Sequence, residues 1–164
     1  QARSGVIINV SSVMARWITA QNSAYSGSKV ALEAASEALA LEVKPFNIRV
    51  ALIEPGLIKT PLFEKTVEGV EENTDSPYRE LNVRQSRFVA GLMKHASSPD
   101  LVAKTIQQSL EETPPKFRYL VGDDAKNIVT GRDKITDETW IDTGRAMSAD
   151  EFGYTYQNLL GINI

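Results

Sequence analysis

The sequence contains no cysteine and a single histidine, His95, among its 164 residues. The lack of cysteine excludes a disulfide framework, a thiolate nucleophile and a cysteine-ligated metal site. One histidine cannot form a cluster of histidine ligands, so we expect no metal in this chain. His95 lies in a polar stretch, which favours a helix surface position over a catalytic role.

The charge balance and the short apolar runs argue against two further classes of protein. Lys and Arg number 18 and Asp and Glu number 21, which gives a net charge of −3. Without a basic run, nucleic-acid binding is disfavoured. Apolar stretches such as residues 50–53 are far shorter than the roughly 20 residues that cross a membrane. No charged and then apolar signal segment is present, so we expect a cytoplasmic protein.

The sequence does contain a strand, a helix and a second strand in its first third. Residues 5–11 form a short, continuous, β-branched run that predicts a buried strand of a parallel sheet. Residues 24–43 have apolar positions at helical spacing, and Pro45 ends this predicted helix. Residues 47–53 predict the second strand. This βαβ unit indicates an α/β fold with a right-handed crossover.

The remainder of the chain gives weaker patterns. Residues 61–98 are polar, and they fit either a substrate loop or lid beyond a strand end or a helical pair that covers the sheet. An amphipathic helix is predicted over 101–112, with Ser98 or Asp100 near its cap, and a third strand over 116–122. Residues 123–164 alternate turn residues with weakly helical stretches, and their arrangement is left open.

Three side chains suggest proton chemistry. Tyr25 and Lys29 lie one turn apart on one face of the first predicted helix. A nearby ammonium stabilises a phenolate and lowers the pKa of a tyrosine toward values useful for proton transfer. Ser12 follows the first strand, where its hydroxyl would donate to a substrate oxygen. The set suits carbonyl reduction or its reverse, although a solvated Tyr-x-x-x-Lys helix face and a Ser-Ser turn are the simpler interpretations of each part.

Taken together, these segments resemble the short-chain dehydrogenase/reductase family. Residues 8–12, Ile-Asn-Val-Ser-Ser, resemble its strand and catalytic serine, and residues 24–29 resemble the start of its Tyr-x-x-x-Lys helix. Residues 48–61 resemble its next strand and Pro-Gly-x-x-x-Thr segment, and residues 118–122 resemble its last core strand. The stretch 61–98 has the character of hydroxysteroid- and retinol-dehydrogenase-like members. The resemblance implies a Rossmann-like, doubly wound parallel sheet.

The resemblance also implies a role for each matched residue. Tyr25 would be the general acid/base, Lys29 would lower its pKa and hydrogen-bond the nicotinamide ribose, and Ser12 would polarise the substrate carbonyl. Four positions would line the nicotinamide of a bound NAD or NADP: Pro55, Gly56, Ile58 and Thr60. The implied reaction moves a hydride between the cofactor and a small alcohol or carbonyl compound.

One part of the family pattern is missing from these residues. The sequence has neither a T-G-x-x-x-G-x-G nor a G-x-G-x-x-G turn, which would hold the cofactor pyrophosphate. The residue that would select NAD from NADP is missing with it, and Ala15 stands where the family often has glycine. We therefore expect residues 1–164 to be the carboxyl-terminal part of one Rossmann domain, with about three strands, inactive as an isolated piece.

Several alternatives stay open at this point. The chain could be a half-enzyme that pairs with another chain and does no chemistry alone, or an epimerase or isomerase that uses the same Tyr–Lys pair. Small residues on more than one face of helix 24–43 predict a homodimer or homotetramer contact. Trp17 fits a wall of the substrate pocket and plain packing equally well. Asp123 and Asp124 fit a capped turn better than a metal pair.

Overall fold

A three-stranded parallel sheet forms the centre of the protein. The structure is a computed structural model that describes residues 3–61 and 75–162. In spatial order the strands are β1 (Gly5–Val10), β2 (Ile48–Pro55) and β3 (Arg118–Val121). Both strand pairs are parallel, with Val10 beside Ile53 and Pro55 beside Val121. The predicted α/β architecture is confirmed.

Helix α1 (Ser23–Val43) connects β1 to β2. It ends as expected before Pro45, which occupies the first turn of a short 3₁₀ helix, Lys44–Phe46. Asn47 then adopts a left-handed conformation with φ 56°, which asparagine tolerates better than most residues. Strand β2 therefore begins at Ile48, one residue later than predicted.

Each face of the sheet is covered by a helix. Helix α3 (Pro99–Glu111) lies on one face, where Val102 and Ile106 pack against buried side chains of β2 and β3. Helix α1 lies on the other face, where Ser36 accepts a hydrogen bond from Asn9 of β1 at 2.8 Å. Because side chains of a strand alternate between faces, the two helices bury opposite sets of residues. This is the doubly wound arrangement.

A second, aromatic core lies beyond the sheet. It is built by α2 (Arg79–Met93) and by three helices of the tail, α4 (Asp123–Arg132), α5 (Asp137–Asp142) and α6 (Ala149–Leu160). Phe88 stacks edge-on against Phe152, with ring centroids 5.3 Å apart. Tyr156 contacts both rings, so α2 packs directly on α6.

The structure also shows where the residues lie whose roles the sequence left open. Trp17 is buried and meets Phe88 and Tyr156 edge-on at 6.2 and 6.3 Å, so its role here is packing. Asp123 and Asp124 form the first turn of α4, and His95 is exposed. Of the stretch 61–98, for which the sequence left a substrate loop and a helical pair open, residues 62–74 lie outside the described residues, and residues 79–93 form α2, which packs on α6.

Candidate active site

The carboxyl ends of β1 and β2 meet at one edge of the sheet. Val10 is in register with Ile53, and the Ser11 amide donates to the Ile53 carbonyl at 2.7 Å. Ser12 follows immediately, while Pro55 ends β2 two residues beyond Ile53. Parallel strands bring the residues after their carboxyl ends together, which places the predicted serine beside the predicted cofactor segment.

Ser12 is buried and caps the 3₁₀ helix Val13–Ala15. Its Oγ accepts a hydrogen bond from the Met14 amide at 3.2 Å, and this short helix lies against α1. The cap uses a lone pair of Oγ, so the hydroxyl hydrogen of Ser12 is left to donate to another oxygen. A serine that is held in place and still able to donate suits polarisation of a carbonyl.

Tyr25 and Lys29 are brought together as the helical spacing predicts. The Nζ atom of Lys29 lies 5.7 Å from the centroid of the Tyr25 ring. Lys29 also donates to the Val10 carbonyl at 3.1 Å, which anchors it at the end of β1. Tyr25 is 40% exposed and is accessible to a small molecule. The pair thus lies at the same sheet edge as Ser12.

The loop between Ser12 and Tyr25 is held by distant parts of the chain. From the tail, Trp140 Nε1 donates to Ile18 O at 2.9 Å, and Asp133 pairs with Arg16 at 3.0 Å. From α2, the Asn82 side chain accepts a hydrogen bond from Gln21. These partners are separated from the loop by 61 to 122 residues. No local sequence pattern could have indicated them.

The segment after β2 is fixed by backbone hydrogen bonds. The Gly56 amide donates to Val121 O at 3.0 Å, and the Leu57 amide donates to the Asp124 carboxylate at 2.6 Å. A Cβ at Gly56 would collide with that carboxylate, so a larger residue there would displace Asp124 from its bond with Leu57. Burial raises the pKa of Asp124, and its bond from Leu57 opposes the shift. The sequence predicted a capped turn for Asp124 but not this contact.

The predicted cofactor residues lie along this fixed segment. Ser97 bridges it by accepting from the Lys59 amide and donating to Leu57 O, both at 2.9 Å. Ile58 is buried, whereas Pro55, Gly56 and Thr60 are half-buried at the sheet edge.

A buried charge cluster lies directly behind the site. Ser11 Oγ donates to Glu33 at 2.7 Å, and the Arg118 guanidinium donates to Glu33 and, at 2.7 Å, to Glu54. Both carboxylates are buried. Burial raises the pKa of Glu54, while the bond from Arg118 opposes that shift. The charge of Arg118 inside the third predicted strand, and of Glu54 directly after the second, was the signal for this pairing.

Within residues 3–61 and 75–162, no three His, Cys, Asp or Glu side chains are grouped so that they could hold a metal ion. Within the same described part of the chain, no helix has both the length and the apolar character needed to span a bilayer.

Comparison with known proteins gives consistent matches. A family model described as short chain dehydrogenase matches residues 1–71, which include Ser12, Tyr25 and the segment after β2. A probable short-chain type dehydrogenase/reductase, VdlC, from Helicobacter pylori is 43% identical over 117 residues, covering 71% of this chain and 42% of the relative. Human retinol dehydrogenase 5 is 32% identical over 140 residues, covering 77% and 43%.

The fold of this chain is also similar to that of solved structures. A crystal structure of a short-chain dehydrogenase from Streptomyces avermitilis superposes with a TM-score of 0.62 at 30% identity, covering 88% of this chain and 53% of that one. The chain thus spans about half the length of the proteins it matches. The family match over residues 1–71 and the shared fold agree with each other, and the chain belongs to the short-chain dehydrogenase/reductase family.

Proposed function

We propose that this chain carries the proton-transfer side of an NAD(P)-dependent oxidoreductase that interconverts an alcohol and a carbonyl. The observation that carries the proposal is that Lys29 lies near the Tyr25 ring and bonds to the Val10 carbonyl, two residues before Ser12, at the carboxyl edge of the sheet. Each is held there by its own element: Tyr25 and Lys29 by α1, and Ser12 by the end of β1.

Each of the three side chains would have a separate role in the reaction. Ser12 donates its free hydroxyl hydrogen to the substrate oxygen and orients the carbonyl. Tyr25 donates its phenolic proton to that oxygen during reduction and takes it back during oxidation. Lys29, with its ammonium near the ring, stabilises the phenolate that Tyr25 becomes.

The described residues fit the nicotinamide end of a dinucleotide. The absence of a side chain at Gly56 makes room for the Asp124 carboxylate, and backbone hydrogen bonds from this segment to Val121 and Ser97 hold it in place. Pro55, Gly56, Ile58 and Thr60 would line the ring, and Lys29 would bond the ribose. When bound, the cofactor supplies or accepts the hydride. These residues would contact only the nicotinamide end, which NAD and NADP share, so they select neither cofactor over the other.

The test is Tyr25→Phe in the complete protein. Loss of the positioned acid should lower kcat by at least about 10²–10⁴-fold, while the Kd for NADH or NADPH changes little. Tyr154→Phe, at an exposed tyrosine of α6, is the matched control and should keep full turnover. A Tyr25→Phe variant that retains more than about a tenth of the wild-type rate would exclude Tyr25 as the acid/base.

A further inference from the structure

A cavity of about 520 Å³ lies between the loop that precedes Tyr25 and helices α2, α5 and α6. Residues 18–20 of the loop form one wall. Trp140, Phe152 and Tyr156 contribute aromatic surface to the others. Because its wall is the segment between Ser12 and Tyr25, a molecule that reacts at these residues could extend into the cavity.

Arg84 of α2 lines this cavity and is 7% exposed. Its Nη1 donates to the Arg145 and Met147 carbonyls at 3.0 and 3.4 Å, and its Cζ lies 4.5 Å from the centroid of the Phe152 ring. Its Nε is buried and has no hydrogen-bond partner. A buried donor without a partner costs roughly 1–3 kcal/mol, and more when it belongs to a charged group.

The other two arginines of the cavity are already paired. Arg16 forms an ion pair with Asp133 at 3.0 Å, and Arg132 forms one with Asp137 at 2.5 Å. Among the described residues, no carboxylate pairs with Arg84. The cavity therefore combines an apolar, aromatic lining with one buried cation that lacks a counter-ion.

We propose that this cavity binds the carboxylate end of an amphipathic substrate, with Arg84 as the group that recognises the charge. The planar guanidinium presents two parallel donors that match a carboxylate, and its partial shielding from water strengthens the bond. The aromatic walls take the apolar chain of the same molecule. As an assignment of substrate class the inference rests on the proposed function, whereas the binding itself does not require it.

Calorimetric titration of the complete protein tests the inference without cofactor or turnover. The probes are octanoate and its neutral isostere octanamide. Wild-type protein should bind octanoate about ten- to a hundredfold more tightly than octanamide, as expected for a charge-assisted bond. Arg84→Met should abolish this preference while leaving octanamide binding nearly unchanged.

Two variants separate recognition from general damage. Arg87→Met removes an exposed arginine one turn along the same helix and should leave octanoate binding unchanged. Arg84→Lys keeps a charge but loses the planar fork, so it should show an intermediate preference. Equal wild-type affinity for both probes overturns the proposal, and this comparison stands even if Arg84→Met does not fold.

The outcome is independent of the catalytic assignment. If Tyr25→Phe is inactive but octanoate and octanamide bind alike, the oxidoreductase proposal stands and the carboxylate site fails. If octanoate binding depends on Arg84 while Tyr25→Phe stays active, the site stands as a binding site and the catalytic role of Tyr25 fails.

Discussion

A single guanidinium, that of Arg118, bridges two buried carboxylates behind the candidate site. Arg118 is one-third exposed, but Glu33 and Glu54 have side-chain exposures of 8% and 1%. Since Ser11 is bonded to Glu33, the same cluster holds the residue that precedes Ser12. Stability and site geometry are thus linked through Arg118.

Replacement of Arg118 by Met should be strongly destabilising because it leaves two carboxylates buried without a counter-ion. Removal of one partner of a buried pair costs roughly 3–5 kcal/mol, and we expect the free energy of unfolding to fall by about the lower value since Arg118 is partly exposed. Denaturant unfolding measures it. Arg145→Met, which breaks an exposed pair with Glu151, is the control and should cost at most about 1 kcal/mol. Equal losses would contradict this account of the cluster.

Glu54→Gln should change how stability depends on pH. Burial raises the pKa of Glu54 in the folded protein above its usual 4.5. As the pH rises past 4.5, the unfolded chain therefore loses this proton while the folded protein still holds it. The folded state then holds more protons, and the free energy of unfolding falls as pH rises toward the native pKa. The variant lacks this fall. Its stability relative to wild type should therefore increase from pH 4.5 upward and then level off, as unfolding curves between about pH 4 and pH 8 would show. An unchanged pH slope would contradict the burial effect.

Among the helices, the crossing of α4 and α6 depends on the absence of a side chain. A Cβ at Gly131 would lie 2.6 Å from both the Leu159 carbonyl oxygen and the Leu160 Cα. These are backbone atoms, so the helices themselves would have to move apart. The close crossing brings the aromatic residues of α6 onto the core that supports the loop before Tyr25.

Gly131→Ala should lower the free energy of unfolding by roughly 1–3 kcal/mol because it overpacks this crossing. Gly27→Ala is the matched control, since a Cβ at this exposed helical position of α1 meets nothing within 4 Å. It should stabilise the protein by about 0.5–1 kcal/mol. Thermal unfolding of the two variants checks the opposite signs, and a stabilised Gly131→Ala would show that the helices are not in close contact there.

The sheet and its two flanking helices could be predicted because their signals are local. The β-branched run of β1, Pro45 after α1 and the Ser98 cap of α3 each act within a few residues, and Ser98 does accept from the Asp100 amide. The meeting of Tyr25 and Lys29 was predictable for the same reason, since helical spacing fixes it.

The tail was left open because its helices are short and polar, and their stability comes from distant contacts. A local signal did exist for α6: Ser148 and Glu151 have capping-box spacing, and the Ser148 Oγ accepts from the Glu151 amide. Phe152, Tyr156 and Leu160 then follow at four-residue intervals on one buried face. The anchoring of the loop by Trp140 could not be inferred, since its partner Ile18 is 122 residues away.

Across the whole molecule, two surfaces remain unpartnered in the described chain. The first is the outer edge of β1, where Val6 and Val10 are 39% and 43% exposed. Strand edges with apolar side chains favour pairing with another strand. The second is an exposed face of α1, made of residues at three- and four-residue spacing: Val30, Ala31, Ala34, Ala35, Ala38 and Leu41.

We expect the α1 face to join two copies of the protein, because its small side chains let another helix approach closely. Ala34→Arg should weaken the self-association of the complete protein about a hundredfold or more, since the interface would bury an unpaired charge. Sedimentation velocity measures the mass. Ala103→Arg, at an exposed position of α3, should leave it unchanged. A wild-type mass equal to one subunit would exclude this interface.

The anchoring of the loop by α2, α4 and α5 has a consequence for cooperativity. Residues 16–21 obtain their fixed position from side chains that follow them by 61 to 122 residues. Local opening of the tail must release the loop, because Ile18 and Arg16 lose their partners together. We therefore expect the tail and the loop before Tyr25 to open as one unit in native-state hydrogen exchange, with amides near Ile18 opening with the free energy of α5 rather than with that of the adjacent strand β1.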